Sequence, residues 1–241
     1  MVSKSRIKFI KSLQLKKNRQ TEGLFVAEGQ KLVQELLESD WEVEELLVSQ
    51  DLRDEFPSAD TICNGADMSR MSSLKQAPGV LAVVKQKEVA FSNSEKFVFA
   101  LDGIRDPGNL GTIIRCADWF GIQKIVCSED TVDLYNPKVV QATMGSIWRV
   151  EVSYADLGKL LEASDRSVYG LDMKGASLYE TQFGEGIFVI GNESQGIRPE
   201  ISSQITQYIS IPGRGKAESL NASISGAIVM SELNRQAIGK G

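Results

Sequence analysis

The residues most suited to chemistry lie in the stretch QYISIPGRGKAESLNASISGAIVMSEL, residues 207–233. A short apolar alternation, Tyr208, Ile209 and Ile211, breaks at Pro212-Gly213-Arg214-Gly215. A helical repeat then follows through Leu220, Ile224, Ala227, Ile228 and Leu233. A glycine-bearing loop of this kind can bind a small ligand through backbone groups. It is not a triphosphate loop, which needs Gly, four residues, then Gly-Lys-Ser/Thr. Here Ala217 follows Gly215-Lys216, and Ser210 holds the first glycine position. A dinucleotide fingerprint beginning at Gly213 fails as well, because Glu218 stands at its third glycine. Ser219 is a candidate N-cap for the last helix. Ala222, Ser223, Ser225, Gly226 and Ala227 would let another backbone approach that helix closely. Taken alone, the stretch reads first as a strand–loop–helix joint with a Gly-rich turn.

The chain of 241 residues contains no histidine. That excludes a Ser-His-Asp triad, a histidine general base and histidine-ligated metals, so any proton removed must go to another group, to solvent or to the substrate. Cys63, Cys116 and Cys127 are odd in number and form no CxxC pair, which argues against a disulfide framework or a zinc site. The 42% hydrophobic content is that of an ordinary globular protein. No apolar run reaches the length of a membrane span, and the basic, broken start of the chain is unlike a signal peptide. No membrane and no metal are expected, and a cytoplasmic setting is the default.

The net charge of −5 hides an asymmetry. Residues 1–20 carry Lys4, Arg6, Lys8, Lys11, Lys16, Lys17 and Arg19 with no acid, leaving 20 basic and 32 acidic residues, a balance of −12, in the remainder. A basic arm on an acidic body suggests a localised polyanion contact. A solvated helix face, with Ile7, Ile10 and Leu13 on its buried side, is the other reading.

The elements that must position these residues alternate between strand and helix. Basic helical segments are expected over 4–20, strands at 25–28, 43–48, 61–63 and 79–84, a helix over 29–39 and a short helix over 51–56. They suggest a small α/β domain. The polar stretch 85–96 reads as a linker. Strands are then expected at 97–101, 124–127, 148–152, 167–171, 186–190 and 207–211, with helices over 109–120, 136–144, 156–163 and beyond 219. This alternation indicates a parallel sheet covered by helices. In such sheets ligands bind beyond the carboxyl ends of the strands. Three strand ends carry polar, turn-rich loops, 102–111, 191–196 and 212–219, and together they argue for one site.

The three loops, LDGIRDPGNLGTIIRCADWFGI, FVIGNESQGI and ISIPGRGKAESLNASISGAI, together resemble the SpoU family of RNA ribose methyltransferases, which includes the TrmH-type enzymes. They stand in the family's order across residues 97–241. KKNRQTEGLFVAEGQKLVQELL is similar, more loosely, to the small substrate-binding domain of many members, chiefly through Phe25, Glu28 and Gly29. The resemblance implies an RNA substrate-binding domain over 1–88 and an S-adenosylmethionine-dependent methyltransferase domain over 96–241. The implied fold is α/β: a small N-terminal α/β domain, then a parallel-sheet α/β domain with a deep C-terminal trefoil knot, against the general rarity of knots. It also implies a homodimer with the active site near the subunit boundary.

Carried over by residue, the resemblance assigns Asn109 to building the active site and Arg115 to the neighbourhood of the reacting ribose and phosphate. Glu193 would hold active-site geometry, with Ser219 and Asn221 as the polar pair of the third motif. Gly191, Ile211 and Leu220 would hold the cofactor, and Leu171 would line the adenine pocket. Departures from the family pattern are Gly213 where methionine is frequent, Ala222 in the SLNAS segment, Gln141 in place of a basic residue, and Glu151 in place of proline. They bear on pocket shape and RNA selectivity.

Each assignment has a plainer counterpart. Asn109 would cap a helix after Pro107-Gly108, Arg115 would be a surface arginine, Glu193 a turn or ion-pair residue, and Asn221 a helix cap. Arg105 and Lys138 suit RNA contact and solvation equally. The implied reaction moves a methyl group from a sulfonium to a ribose 2′-hydroxyl. An arginine that is always charged is poorly suited to general base work. Clamping a phosphate and aligning the hydroxyl suits Arg115 better, and Gly111, one turn earlier, would leave room for that phosphate. The substrate expected is rRNA rather than tRNA, given the extra N-terminal domain. The alternatives are a non-catalytic RNA-binding or ribosome-assembly factor on the same fold, and a small-molecule methyltransferase.

Overall fold

Runs of β-branched and aromatic residues become strands wherever both faces can be buried. Val80–Lys85 (VLAVVK) and Gly186–Ile190 (GIFVI) are buried almost throughout. The computed structural model describes residues 2–92, 94–192 and 194–239. In chain order the elements begin α1 Lys4–Ser12, α2 Lys16–Glu22, β1 Leu24–Glu28, α3 Gln30–Leu37, β2 Val43–Ser49, β3 Thr61–Cys63, α4 Gly65–Met71 and β4 Val80–Lys85. They continue with β5 Phe97–Leu101, α5 Pro107–Trp119, β6 Lys124–Ser128, α6 Pro137–Thr143, β7 Glu151–Ala155, α7 Leu157–Glu162 and β8 Ser167–Ser177. The last are β9 Gly186–Ile190, α8 Pro199–Ser202, β10 Gln207–Ser210 and α9 Ala222–Ile238.

The chain divides into two compact units. The first joins Met1–Lys87 to Asp133–Trp148. Its four-stranded sheet has the order β1-β4-β2-β3, with β4 antiparallel to both neighbours and β2 parallel to β3. Ile7, Ile10 and Leu13 pack with Val26, Leu47, Met68 and Leu81. Segment Asp133–Trp148 is held there by Arg19, only 2% exposed, which pairs with Asp133 and donates to the carbonyls of Leu13 (2.9 Å) and Gln14 (2.8 Å). Tyr135 lies 4.6 Å from Phe25, and Trp148 5.2 Å from Trp41, between ring centroids. Gln141 donates to the Glu28 carbonyl at 2.7 Å, so this departure from the family pattern has a local structural use.

The second unit joins Glu88–Val132 to Arg149–Gly241. Its six-stranded sheet has the order β10-β8-β9-β5-β6-β7, and every pairing is parallel. α9 packs on α5 and β9. At that contact a Cβ on Gly226 would lie 2.9 Å from Ile190 Cδ1, which is the close approach expected of the small-residue face. The mixed α/β architecture, with a small N-terminal unit and a parallel-sheet unit, is the one expected from sequence.

Several boundaries differ from expectation. Ser146–Trp148 is a 3-10 turn and the strand starts at Glu151, because the Trp148 ring N–H is buried against the Leu32 carbonyl at 3.1 Å. Residues 50–52, rather than 51–56, form a short 3-10 helix. β8 runs to Ser177 instead of 171, since its pairing with β10 resumes at Ala176 after a register shift. The two short helices α4 and α8 carry too little periodicity to be read from sequence. No described helix is long and apolar enough to cross a membrane, and no described group of three or more His, Cys, Asp or Glu side chains could hold a metal.

Candidate active site

α5 begins where Asp106 caps it, accepting the Asn109 N–H at 2.8 Å, with Pro107 in the first turn, where its missing N–H costs nothing. Asn109 is therefore the third helical residue, correcting the expectation of an Asn109 cap. Likewise Asn221, not Ser219, caps α9: its Oδ1 accepts from Ser223 N at 2.9 Å and Ile224 N at 3.4 Å. Ser219 is left exposed in the loop before it.

This capping places two candidates in contact. Asn221 Nδ2 donates to Asn109 Oδ1 at 2.9 Å, across 112 positions of sequence. Arg115 is exposed on α5 and makes no ion pair with another described residue. Gly111 is buried one turn before Arg115 on the same helix. Glu193 lies outside the described residues.

Gly191 and Ile211 directly follow the ends of β9 and β10. Leu171 lies inside β8, next to Gly170, which pairs with Val189 and Tyr208 just before the register of β8 against β10 shifts. Leu171 and Ile211 are half-buried and Leu220 is 49% exposed. Gly213 and Gly215 have nothing within 4 Å of an added Cβ. Uncovered apolar side chains beside an open loop suit the adenosine and thioether parts of S-adenosylmethionine. Gly191 is required for a different reason: a Cβ there would stand 2.3 Å from Gly196 C and 2.4 Å from Ile197 N.

A polar network that the sequence did not reveal ties these loops together. Asp102, 1% exposed at the end of β5, accepts from Arg198 N at 2.8 Å and Arg198 Nε at 2.6 Å. Arg198 also faces Asp130 at 3.4 Å. The Asp102 hydrogen bond raises the Arg198 pKa further. The Ser128 hydroxyl, aided by Arg198, holds the Asp130 carboxyl below its ordinary value against the opposing effect of burial. Ser128 Oγ accepts the Gly103 N–H at 2.8 Å, and Asn192 Nδ2 donates to the Gly103 carbonyl at 2.7 Å. The only local signal was an acid directly after a buried strand. Burial pushes all three thiols up, Cys63 to about 11, so none is a ready thiolate nucleophile. Arg105 spends part of its charge on Asp130, at 3.8 Å, and Glu151 faces Lys124 at 3.3 Å.

A profile of the SpoU rRNA Methylase family matches residues 96–231, and one of an MRM3-like substrate binding domain matches residues 4–82. The chain is 30% identical over 242 residues to the 23S rRNA (guanosine(2553)-2′-O)-methyltransferase RlmP of Bacillus subtilis, covering 95% of each. A solved structure from Porphyromonas gingivalis, assigned to the TrmH family of RNA methyltransferases, superposes with a TM-score of 0.90 at 34% identity, covering 98% of this chain and 99% of that one. An AdoMet-bound rRNA methyltransferase from Sinorhizobium meliloti superposes with a TM-score of 0.88 at 27% identity, covering 98% and 97%. These likenesses extend over both units and include the strand ends where the candidate residues gather. The chain belongs to the SpoU family and is an S-adenosylmethionine-dependent RNA methyltransferase.

Proposed function

We propose that this enzyme methylates a ribose 2′-hydroxyl of rRNA. The observation that carries the reading is the Asn109–Asn221 contact, which joins the first and third loops above the carboxyl edge of the sheet. The rRNA preference rests on the likeness to RlmP over nearly the whole chain. Bound S-adenosylmethionine supplies an electrophilic methyl on a sulfonium. Leu171, Gly191, Ile211 and Leu220 would hold it, by the apolar and backbone surfaces described above. Arg115 stays charged throughout. It clamps an RNA phosphate and aligns the adjacent hydroxyl, so that proximity supplies much of the rate. As the new O–C bond forms and the C–S bond breaks, the hydroxyl proton passes to the phosphate or to solvent. Ser219, exposed in the third loop, adds to the polar lining, and the family likeness would give Glu193 the task of holding active-site geometry.

The same reading extends to the knot, the dimer, the cytoplasmic setting and the division of labour between 1–88 and 96–241. β10 lies at the sheet edge, whereas α9 after it packs on α5 and β9 near the centre, a path that supports threading. Ile224 and Tyr179, 49% and 54% exposed, flank an open groove of about 350 Å³ with Ala227 and Ile228, a surface suited to a second copy. Sedimentation at micromolar concentration should give a dimer, and a monomer would overturn that part.

The deciding experiment is transfer of labelled methyl from S-adenosylmethionine to rRNA lacking the modification, with Arg115→Ala alongside. Label in ribose is expected, falling at least about 100-fold in the variant, as for loss of a transition-state clamp, with an unchanged melting temperature. Label in a base, or full activity in the variant, would sink the proposal.

A further inference from the structure

Lys4, Lys8 and Lys11 recur at i, i+4 and i+7 along α1, and all three are exposed. That spacing sets them in one row. Lys16 and Lys17, also exposed, open α2 in its first turn. Both placements are electrostatically unfavourable: like charges four apart repel, and positive charge opposes the dipole at a helix N-terminus. Lys11, in the last turn of α1, is favoured by the dipole there, whereas no carboxylate among the described residues compensates the other lysines. The arginines of the same segment are paired, Arg6 with Glu45 at 2.6 Å and Arg19 with Asp133, while the five lysines have no carboxylate partner.

The rest of the chain, at −12, repels a polyanion, so attraction must be local. The apolar side of α1, Ile7 and Ile10, is already buried in its own unit and is not free to enter a lipid surface. We infer that the exposed face of α1 and the start of α2 is a phosphate-contacting surface, which holds the backbone of the RNA substrate without reading its sequence. The inference rests on the RNA reading above and specifies which lysines carry the contact. Such contacts release counterions, so each phosphate neutralised adds about 0.7 to 0.9 to the slope of log affinity against log salt.

The test compares Lys4→Ala/Lys8→Ala/Lys11→Ala with Lys31→Ala/Arg53→Ala/Lys75→Ala, three exposed positions of the same unit with the same change in charge. Lys16→Ala/Lys17→Ala is an independent second variant. Binding to a labelled RNA stem–loop of roughly 20 nucleotides is titrated between about 50 and about 200 mM salt. The α1 triple variant should lose affinity about tenfold at low salt and lower the slope by about 2.4, with the pair lowering it by about 1.6. The control should stay within about twofold. An equal loss in the control, an unchanged slope, or binding to phosphatidylglycerol vesicles in place of RNA would overturn the inference. Methyl transfer and S-adenosylmethionine binding are followed in the same proteins. Absent transfer with an altered slope would refute the catalytic reading and leave this surface standing. Normal transfer with an unaltered slope would do the reverse.

Discussion

Asn221 carries two tasks at opposite ends of one amide. Its oxygen caps α9 and also accepts Ser223 Oγ at 2.6 Å, while its nitrogen reaches Asn109. Serine keeps the cap but lacks the reach and the second donor. Asn221→Ser should therefore melt within about 2 °C of the parent, since the cap is worth only about 1 kcal/mol and is retained. Methyl transfer should fall at least about tenfold, the scale of one lost charge-free positioning contact. Thermal melts and single-turnover methylation check the two halves, and unchanged turnover would mean that the Asn109 contact is structural only. The sequence identified both residues and left capping open for each. It could not pair them, because their contact depends on where α9 lands on α5. The same holds for Asp102 and Arg198, which are 96 positions apart.

At the scale of elements, the loops are governed by how closely backbones approach. Gly191→Ala brings a Cβ against the backbone of Gly196 and Ile197, which cannot rotate away as a side chain could. A loss of about 3 kcal/mol or more is expected, the upper range for overpacking. Gly213→Ala and Gly215→Ala meet no neighbour and carry no positive φ. Their stability should change by less than about 1 kcal/mol, and upward if the unfolded chain dominates. Urea titration of the three variants checks this order. A fall in methyl transfer at Gly213→Ala with stability retained would assign that loop to ligand contact. The strands 97–101 and 186–190 were legible to the residue, because five consecutive apolar residues bounded by polar turns admit few other structures. The turn at Ser146–Trp148 was not: its apolar run owes its burial to packing inside the first unit, where period-two reading has no force.

At the scale of the whole molecule, the first unit is discontinuous in sequence. Asp133–Trp148 supplies a carboxylate to buried Arg19 and two aromatic rings to Phe25 and Trp41. An isolated fragment of residues 1–88 lacks all three partners. It should be less stable than the same unit in the full chain by at least about 3 kcal/mol, the cost of stripping large aromatic contacts from a core. Amide hydrogen exchange of Phe25 and Val26 in β1 measures this directly. Equal protection in fragment and full chain would show that residues 1–88 are self-sufficient.

By itself the sequence determined the alternation of strands and helices, the parallel sheet of the second half, the absence of histidine chemistry and the family. Each of these is local or compositional: periodicity, residue type and motif order survive without knowledge of neighbours. Only the tertiary structure decided that Asn221 meets Asn109, that Asp102 is buried against Arg198, and that residues 133–148 pack with the N-terminal strands. These contacts join positions about a hundred residues apart. Their existence depends on chain path and close packing, which no window along the sequence contains.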